Sequence, residues 1–499
     1  MGTRILSAYL RKQGFDTLIV IMGALEETFG GFHWNDLFEL CKNADLIGVS
    51  CMTHAVEKAF EIHRHLQSKT SAPIVSGGIH PSLSPESMLD AFTYVCHGEG
   101  EDLIVEMAHR IKNGENFDDI PGLFLKRDGK IVRNPAVPLR HALNDYPFPD
   151  YDLTHQYVLD GNRLVPATPS PLHMNLDDFV VLGSRGCPHR CTYCCNKKIK
   201  EDFPWRKKVG HYSVDYLIKQ LTGIKELFPE VKSFWIEDDT FFAKKQEEIA
   251  LFAKRYKEEV NLPFKILISP WTYSPEKLEP LIDAGMTKLM MGVQSGCERV
   301  SKELYDRNMT NERLLNIVKS LHEYKNLLKC YDFIGMNPFE TSDDLRETIS
   351  FIKSIPLPFY MFCNNLAFYP GTELHAKASS LGLDVSLRVK HSEPEIGLRI
   401  ILREKLDHKI FHLLLLLMGG MATKYRYGSV PGVFLSEPML SFYFQLDRLF
   451  PKTSNLLAIV IARLFYHCNW KKIVKKFFSP RAISAVRHFI VKTKGHLSK

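Results

Sequence analysis

Three cysteines, Cys187, Cys191 and Cys194, stand at spacings of four and three residues in the segment GSRGCPHRCTYCC, Gly183 to Cys195. A chain that curls around a small inorganic cube can set three such thiolates on three irons. The fourth iron is then left without a protein ligand. Soft thiolates are the donors that iron–sulfur clusters prefer. An open metal position is what a catalytic site needs, because a substrate or cofactor can bind there. The spacing therefore predicts a 4Fe–4S cluster. The bland rival is a structural zinc site. Zinc usually wants a further Cys or His pair at its own short spacing. His189 lies inside the loop, and Cys195 directly abuts Cys194, an awkward place for a fourth ligand. Cys195, Cys297, Cys330 and Cys363 read as packing thiols.

The surrounding pattern must hold this loop in place. From Phe179 to about Leu374, strand and helix patterns alternate. Strands are expected at Phe179–Leu182, Ser233–Ile236, Phe264–Ile268, Lys288–Val293, Lys329–Ile334 and Asn364–Phe368, with helices between them. Six such units predict an incomplete (β/α)6 TIM-like barrel, whose active site belongs at the strand C-terminal ends. Residues 1 to about 115 alternate in the same way, which predicts a doubly wound, flavodoxin-like parallel sheet. Between them, frequent prolines suggest a linker with one small extended element, Gly122 to Val132. The expected domains are 1–118, 119–174 (linker), 175–384 (barrel) and 385–499, a helical basic region.

Composition narrows the setting. The chain has 499 residues, 45% of them hydrophobic and 24% charged, as in an ordinary multidomain globular protein. No secretory signal pattern opens the sequence. Its 11 cysteines are therefore expected to stay reduced in a cytoplasmic setting. From Arg448 to Lys499 there are twelve Lys or Arg and no Asp or Glu, so the rest of the formal +7 chain is net acidic. The segment WKKIVKKFFSPRAISAVRHFIVKTK, 470–494, alternates apolar pairs with basic residues. That suits peripheral contact with an anionic membrane, or a solvated helix face packed on the barrel. No nucleic-acid motif accompanies the charge. The apolar runs Leu413–Met418 and Leu456–Ala462 are too short to span a bilayer.

CxxxCxxC with Tyr193 before the last cysteine, after a strand and Gly-Ser-Arg-Gly, resembles the radical S-adenosylmethionine superfamily. The segments FWIEDDTFF (234–242), GVQSGCERV (292–300), IGMNPFETSDDLRETI (334–349) and FYPGTEL (368–374) resemble its strand-end motifs in order. GVSCMT (48–53), SGGIHPSLSPE (76–86) and HGEGED (97–102) resemble the cobalamin-binding domain that some members carry in front. The resemblance spans about 1 to 375. It implies Cys187, Cys191 and Cys194 as cluster ligands. It implies Tyr193, Asp238, Gln294 and Ser295 as S-adenosylmethionine contacts, with Asp238 favoured from the trio Glu237, Asp238 and Asp239. Ser50, Gly77, Gly78 and Gly98 would approach cobalamin. The rival readings are helix caps for the acidic residues and ordinary tight turns for the glycines.

The resemblance also implies a reaction. The cluster would cleave S-adenosylmethionine reductively to a 5′-deoxyadenosyl radical acting on a small-molecule or lipid-like substrate. Methyl transfer with cobalamin, cyclisation and rearrangement are all open, and a reducing partner such as flavodoxin or ferredoxin would be needed. Chain position 1 falls at the helix that normally follows the first strand of the cobalamin domain, so that strand is expected to be lacking. The loop after that strand is where some cobalamin proteins carry a cobalt-ligating His. His33, His54 and His80 read instead as surface or packing residues. The alternatives are a front domain that has lost cobalamin and, from another class, a non-catalytic iron–sulfur or zinc protein.

Overall fold

The computed structural model describes residues 1–22, 32–170, 174–335, 337–356, 358–383, 385 and 400–402. Residues 1–334 with 346–405 form one compact unit, to which the following description is confined. The basic C-terminal segment and its membrane contact lie outside the described residues.

The front half contains β1 (Ile19–Ile21), β2 (Ile47–Ser50), β3 (Ile74–Gly77), β4 (Tyr94–Cys96), β5 (Leu123–Arg127) and β6 (Lys130–Arg133). Strands β2, β3 and β4 are parallel neighbours, and β5 and β6 extend that sheet antiparallel. Helices Val56–Leu66 and Glu101–Asn113 bury apolar stripes against it, Leu66 and Met107 being almost wholly enclosed. Gly114, in the left-handed region at φ 71°, ends the second helix. Strand β1 is not hydrogen-bonded to β2. It pairs in parallel with β7 (Gln156–Asp160), which forms a hairpin with β8 (Arg163–Pro166).

The stretch expected to be a linker is thus two hairpins. Most of its described prolines lie outside the strands, and Pro166 is the last residue of β8. Asp128 and Gly129, both at positive φ, make the β5–β6 turn, and this Asp-Gly pair was a readable signal for a hairpin.

The back half contains β9 (Phe179–Val181), β10 (Ser184–Arg185), β11 (Gly210–His211), β12 (Phe234–Ile236), β13 (Phe264–Ile268), β14 (Met286–Gln294), β15 (Leu328–Gly335), β16 (Phe359–Asn365) and β17 (Ile400–Leu402). Its main sheet runs β9-β12-β13-β14-β15-β16-β17, in chain order apart from the small β10–β11 ribbon. Strand β16 starts five residues earlier than the sequence pattern suggested. The prolines at 356 and 358 precede it without breaking it, and buried Leu366 and Phe368 mimicked strand residues beyond its end. Hydroxyl caps start the covering helices: Ser213 accepts from Tyr216 N, Thr310 from Arg313 N and Thr372 from His375 N.

Period-two alternation sorts the barrel strands. Phe234, Ile236, Phe264, Ile266, Ile268, Leu289, Met291 and Val293 lie under the helices, each 2% exposed or less. The alternate set, Trp235, Leu267, Lys288 and Met290, keeps accessible surface. Barrel lumens are ordinarily packed with side chains. The cysteine loop sits at the C-terminal ends of these strands.

Candidate active site

The cysteine loop leaves β10 through Gly186, whose φ of 93° needs glycine, and ends at the helix Cys195–Asp202 capped by Cys194. The barrel holds its middle. Thr192 N donates to Tyr305 O at 3.3 Å, its hydroxyl donates to Leu304 O, and its carbonyl accepts from Leu374 N at 3.1 Å. Cys194 N donates to Cys191 O at 3.1 Å, closing the curl. Lys200 Nζ donates to the carbonyls of Cys187, at 3.1 Å, and His189.

Cys191 is buried and Cys187 and Cys194 half-buried. Burial pushes the Cys187 thiol up to about 12, so it needs a cation beside it to ionise. The Cys195 thiol, hydrogen-bonding Cys194, draws Cys194 down to about 7. Among the described residues, no three His, Cys, Asp or Glu side chains are grouped to hold a metal ion. His189 Nε2, inside the loop, is buried without a hydrogen-bond partner.

Arg307, which the sequence reading missed, joins the loop to β14. It donates to Cys191 Sγ at 3.6 Å, to Tyr193 Oη at 3.3 Å and to Gly292 O at 2.7 Å. Tyr193 packs edge-on against Tyr305, with centroids 4.9 Å apart. A lone Arg thirteen residues past the end of β14 carries no periodic signal, so nothing in the pattern flagged it.

Two expected contacts are turned inward. The Asp238 carboxylate is fully enclosed, accepting from Gly183 N at 2.6 Å and Lys244 Nζ at 2.6 Å. It fastens β12 to the start of the cysteine loop and offers no free oxygen to a cofactor. Its neighbour Asp239 is accessible and lies within electrostatic reach of Cys187, Cys194 and Cys195. The surrounding protein raises its carboxyl above the ordinary value, and the Asn196 side chain partly counters this. Glu237, also accessible, is raised chiefly by the same enclosure. Ser295 is buried, its Oγ accepting from Cys297 N at 3.1 Å and lying 3.3 Å from Thr348 Oγ1. Gln294 holds the left-handed region at φ 72°, unusual for a residue with a side chain, and folds its amide back over Gly292.

One strand further, Asp332 pairs in register with Gly292. It is buried, and its Oδ1 has no hydrogen-bond partner among the described residues. Burial pushes its carboxyl up to about 7, although Lys288 pulls the other way. A buried oxygen left open in this manner suits a ligand that donates to it.

The front domain's strand ends carry no such groups. Ser50 is exposed at the end of β2. Gly78, at φ 103°, packs where a Cβ would fall 2.8 Å from Cys51 O, and Gly98, at φ 115°, lies against Phe203. Gly77 stands next to Cys96. His80 is buried, its ring nitrogens 3.2 Å from Thr53 Oγ1 and 3.3 Å from Ser87 Oγ, and burial lowers it to about 4. It serves packing, as the sequence suggested. The space a side chain would take at each of these glycines is bounded by this chain's own atoms, so their small size serves packing within the fold.

A front α/β domain is followed by a barrel-type parallel sheet whose C-terminal strand ends carry the three-thiol loop. Residues 181–352 match the Radical SAM superfamily, and residues 1–108 match the B12 binding domain. The chain thus carries a radical SAM domain with a B12-binding domain ahead of it. It is 26% identical over 398 residues to an uncharacterized methyltransferase of Pyrococcus horikoshii, covering 78% of this chain and 80% of that protein. It is 23% identical to the cytidylyl-2-hydroxyethylphosphonate methyltransferase of Streptomyces wedmorensis, over 68% of this chain and 69% of that one. In fold it is similar to the radical S-adenosylmethionine methyltransferase TsrM of Kitasatospora setae, with a TM-score of 0.61 and 17% identity, over 76% of this chain and 72% of that chain. The chain is thus an enzyme of methyltransferase or cyclase type, of a kind that uses a 4Fe–4S cluster, S-adenosylmethionine and cobalamin. No helix among the described residues is long and apolar enough to cross a membrane.

Proposed function

We propose that the chain is a cobalamin-dependent radical enzyme that transfers a methyl group to carbon on a small-molecule or lipid-like substrate. The carrying observation is the thiol loop clamped at the C-terminal ends of the barrel strands, beside accessible Asp239 and the unpartnered carboxyl oxygen of Asp332. When bound, the cluster supplies the electron that splits the sulfonium and cobalamin supplies the methyl carrier. Cys187, Cys191 and Cys194 hold the cluster, and Arg307 steadies Cys191 and Tyr193. Asp239, rather than Asp238, accepts the protons of the methionine amine. Asp332 accepts from a hydroxyl of the nucleoside through its open oxygen, and Gln294 lines the same strand end. Ser50 and the turns at Gly77, Gly78 and Gly98 mark the strand ends at which the front domain would take the corrin. A reducing protein such as flavodoxin or ferredoxin supplies the electrons.

The test is anaerobic reconstitution with iron and sulfide, then reduction in the presence of S-adenosylmethionine with and without hydroxocobalamin. The proposal expects 5′-deoxyadenosine and a bound corrin. A fully loaded cluster that cleaves no S-adenosylmethionine would contradict it. A chain that cleaves S-adenosylmethionine but takes up no corrin would leave only the cobalamin-free alternative.

A further inference from the structure

The loop that ends β4 does two jobs at once. His97 and Gly98 pack on Phe203, the His97 and Phe203 ring centroids lying 4.8 Å apart. The next residue, Glu99, directs one carboxylate oxygen at two guanidiniums: Arg185 Nη1 at 3.2 Å and Arg206 Nη1 at 2.7 Å. Glu101 takes the same Arg185 nitrogen at 2.6 Å. Arg185 also donates to Tyr212 Oη at 3.1 Å. All four charged side chains are largely enclosed, and two carboxylates balance two guanidiniums.

The positions of the two arginines matter more than their number. Arg185 lies two residues before Cys187, on β10. Arg206 lies in the turn Pro204–Lys207, just past the helix that Cys194 caps. One carboxylate of the front domain therefore grips both shoulders of the cysteine loop. On its other side the β4 loop is tied to the glycine turn: Gly98 N donates to Ser82 Oγ at 3.2 Å, and that hydroxyl donates to Gly78 O at 2.9 Å. A continuous set of bonds thus runs from the Gly77–Gly78 turn to the cysteines.

Buried ion pairs cost desolvation and are a weak source of stability; their best-attested use is to fix register. We infer that Glu99 is a positioning residue that sets the cysteine loop against the front domain, so that a corrin seated at the glycine turns and the loop that holds the cluster stabilise one another. This rests on the cofactor reading above. Coupling of this kind is reciprocal: whatever corrin does to the loop, the loop does to corrin affinity.

Hydrogen exchange on the full, cluster-reconstituted chain reads it directly, with hydroxocobalamin as the probe. In the wild type, hydroxocobalamin should slow amide exchange across residues 184–212 by about 5-fold or more, the lower end of ordinary coupling. In Glu99→Gln the cluster should still load while that slowing disappears. Glu99→Asp should restore part of it, which a merely space-filling role would not produce. If Glu99→Gln is too unstable, the double variant Glu99→Gln with Arg206→Gln removes one charge of each sign and should lose the response likewise. A wild-type chain that loads cluster and binds hydroxocobalamin, yet leaves the loop amides unaltered, overturns this inference alone. So does an unaltered response in the variants. A wild type that loads no cluster, or binds no hydroxocobalamin, sinks the cofactor reading and this inference with it.

Discussion

The two halves of this chain build their sites at the same place, the C-terminal ends of parallel strands, from opposite materials. The barrel ends carry three thiols, a guanidinium on sulfur, accessible Glu237 and Asp239, and an open carboxyl oxygen on Asp332. The front domain's ends carry Ser50, Gly77, Gly78 and Gly98, with its buried His80 turned to internal hydroxyls. A small reactive centre needs donors of defined softness and charge. A broad macrocycle needs room and backbone. The barrel site should therefore fail when a donor is changed, the front site when bulk is added.

The largest effect should come from Cys191→Ala. It removes a ligand that Arg307 holds in place, and iron analysis should show loss of the cluster and with it all S-adenosylmethionine cleavage. Next, the adjacent acids separate structure from chemistry. Asp238→Asn leaves Lys244 enclosed without its anion, and chemical denaturation should show a loss of about 3–5 kcal/mol. Asp239→Asn should leave stability within about 0.5 kcal/mol and weaken S-adenosylmethionine binding, measured as a raised KM. If the two variants behave alike, the assignment of roles to the trio is wrong.

Asp332 sharpens the comparison through pH. Its carboxyl sits near 7 in the folded chain, against 3.8 for the ordinary value. The folded state then holds a proton that the unfolded state has released, so stability falls as pH rises from about 4 to about 7 and levels above that. Asp332→Asn removes this slope and should stabilise the cofactor-free chain at pH 8 by roughly 4 kcal/mol. The same variant should weaken S-adenosylmethionine binding. In the front domain, Gly78→Ala meets Cys51 O and demands a positive φ, and should cost about 1–3 kcal/mol together with hydroxocobalamin affinity. Ser50→Ala, which removes only an exposed hydroxyl, should give the smallest change in either.

Much of this was legible in the sequence because period and spacing are local. The thiol spacing and β13, expected and found at Phe264–Ile268, follow from neighbouring residues. What was not legible depended on contacts far apart in the chain. Asp238 and Asp239 differ by one position, and only the distant Lys244 and Gly183 N decide which carboxylate is consumed. Ser295 looked like a strand-end contact until Thr348 closed over it. Arg307 and the Glu99–Arg185–Arg206 network join residues more than 80 positions apart, beyond any periodic signal. The β5–β6 hairpin is the exception: Asp128-Gly129 announced it, and the prolines around it drew attention away.

The central claim is that three thiols of one loop hold a cluster with one corner left for S-adenosylmethionine. Mössbauer spectroscopy of the anaerobically reconstituted, iron-57-labelled chain tests it most directly. The account predicts one four-iron cluster per chain, in which a single iron changes its signal when S-adenosylmethionine is added. A cluster whose irons all ignore S-adenosylmethionine, or a chain that binds zinc in place of iron at the same cysteines, would contradict it.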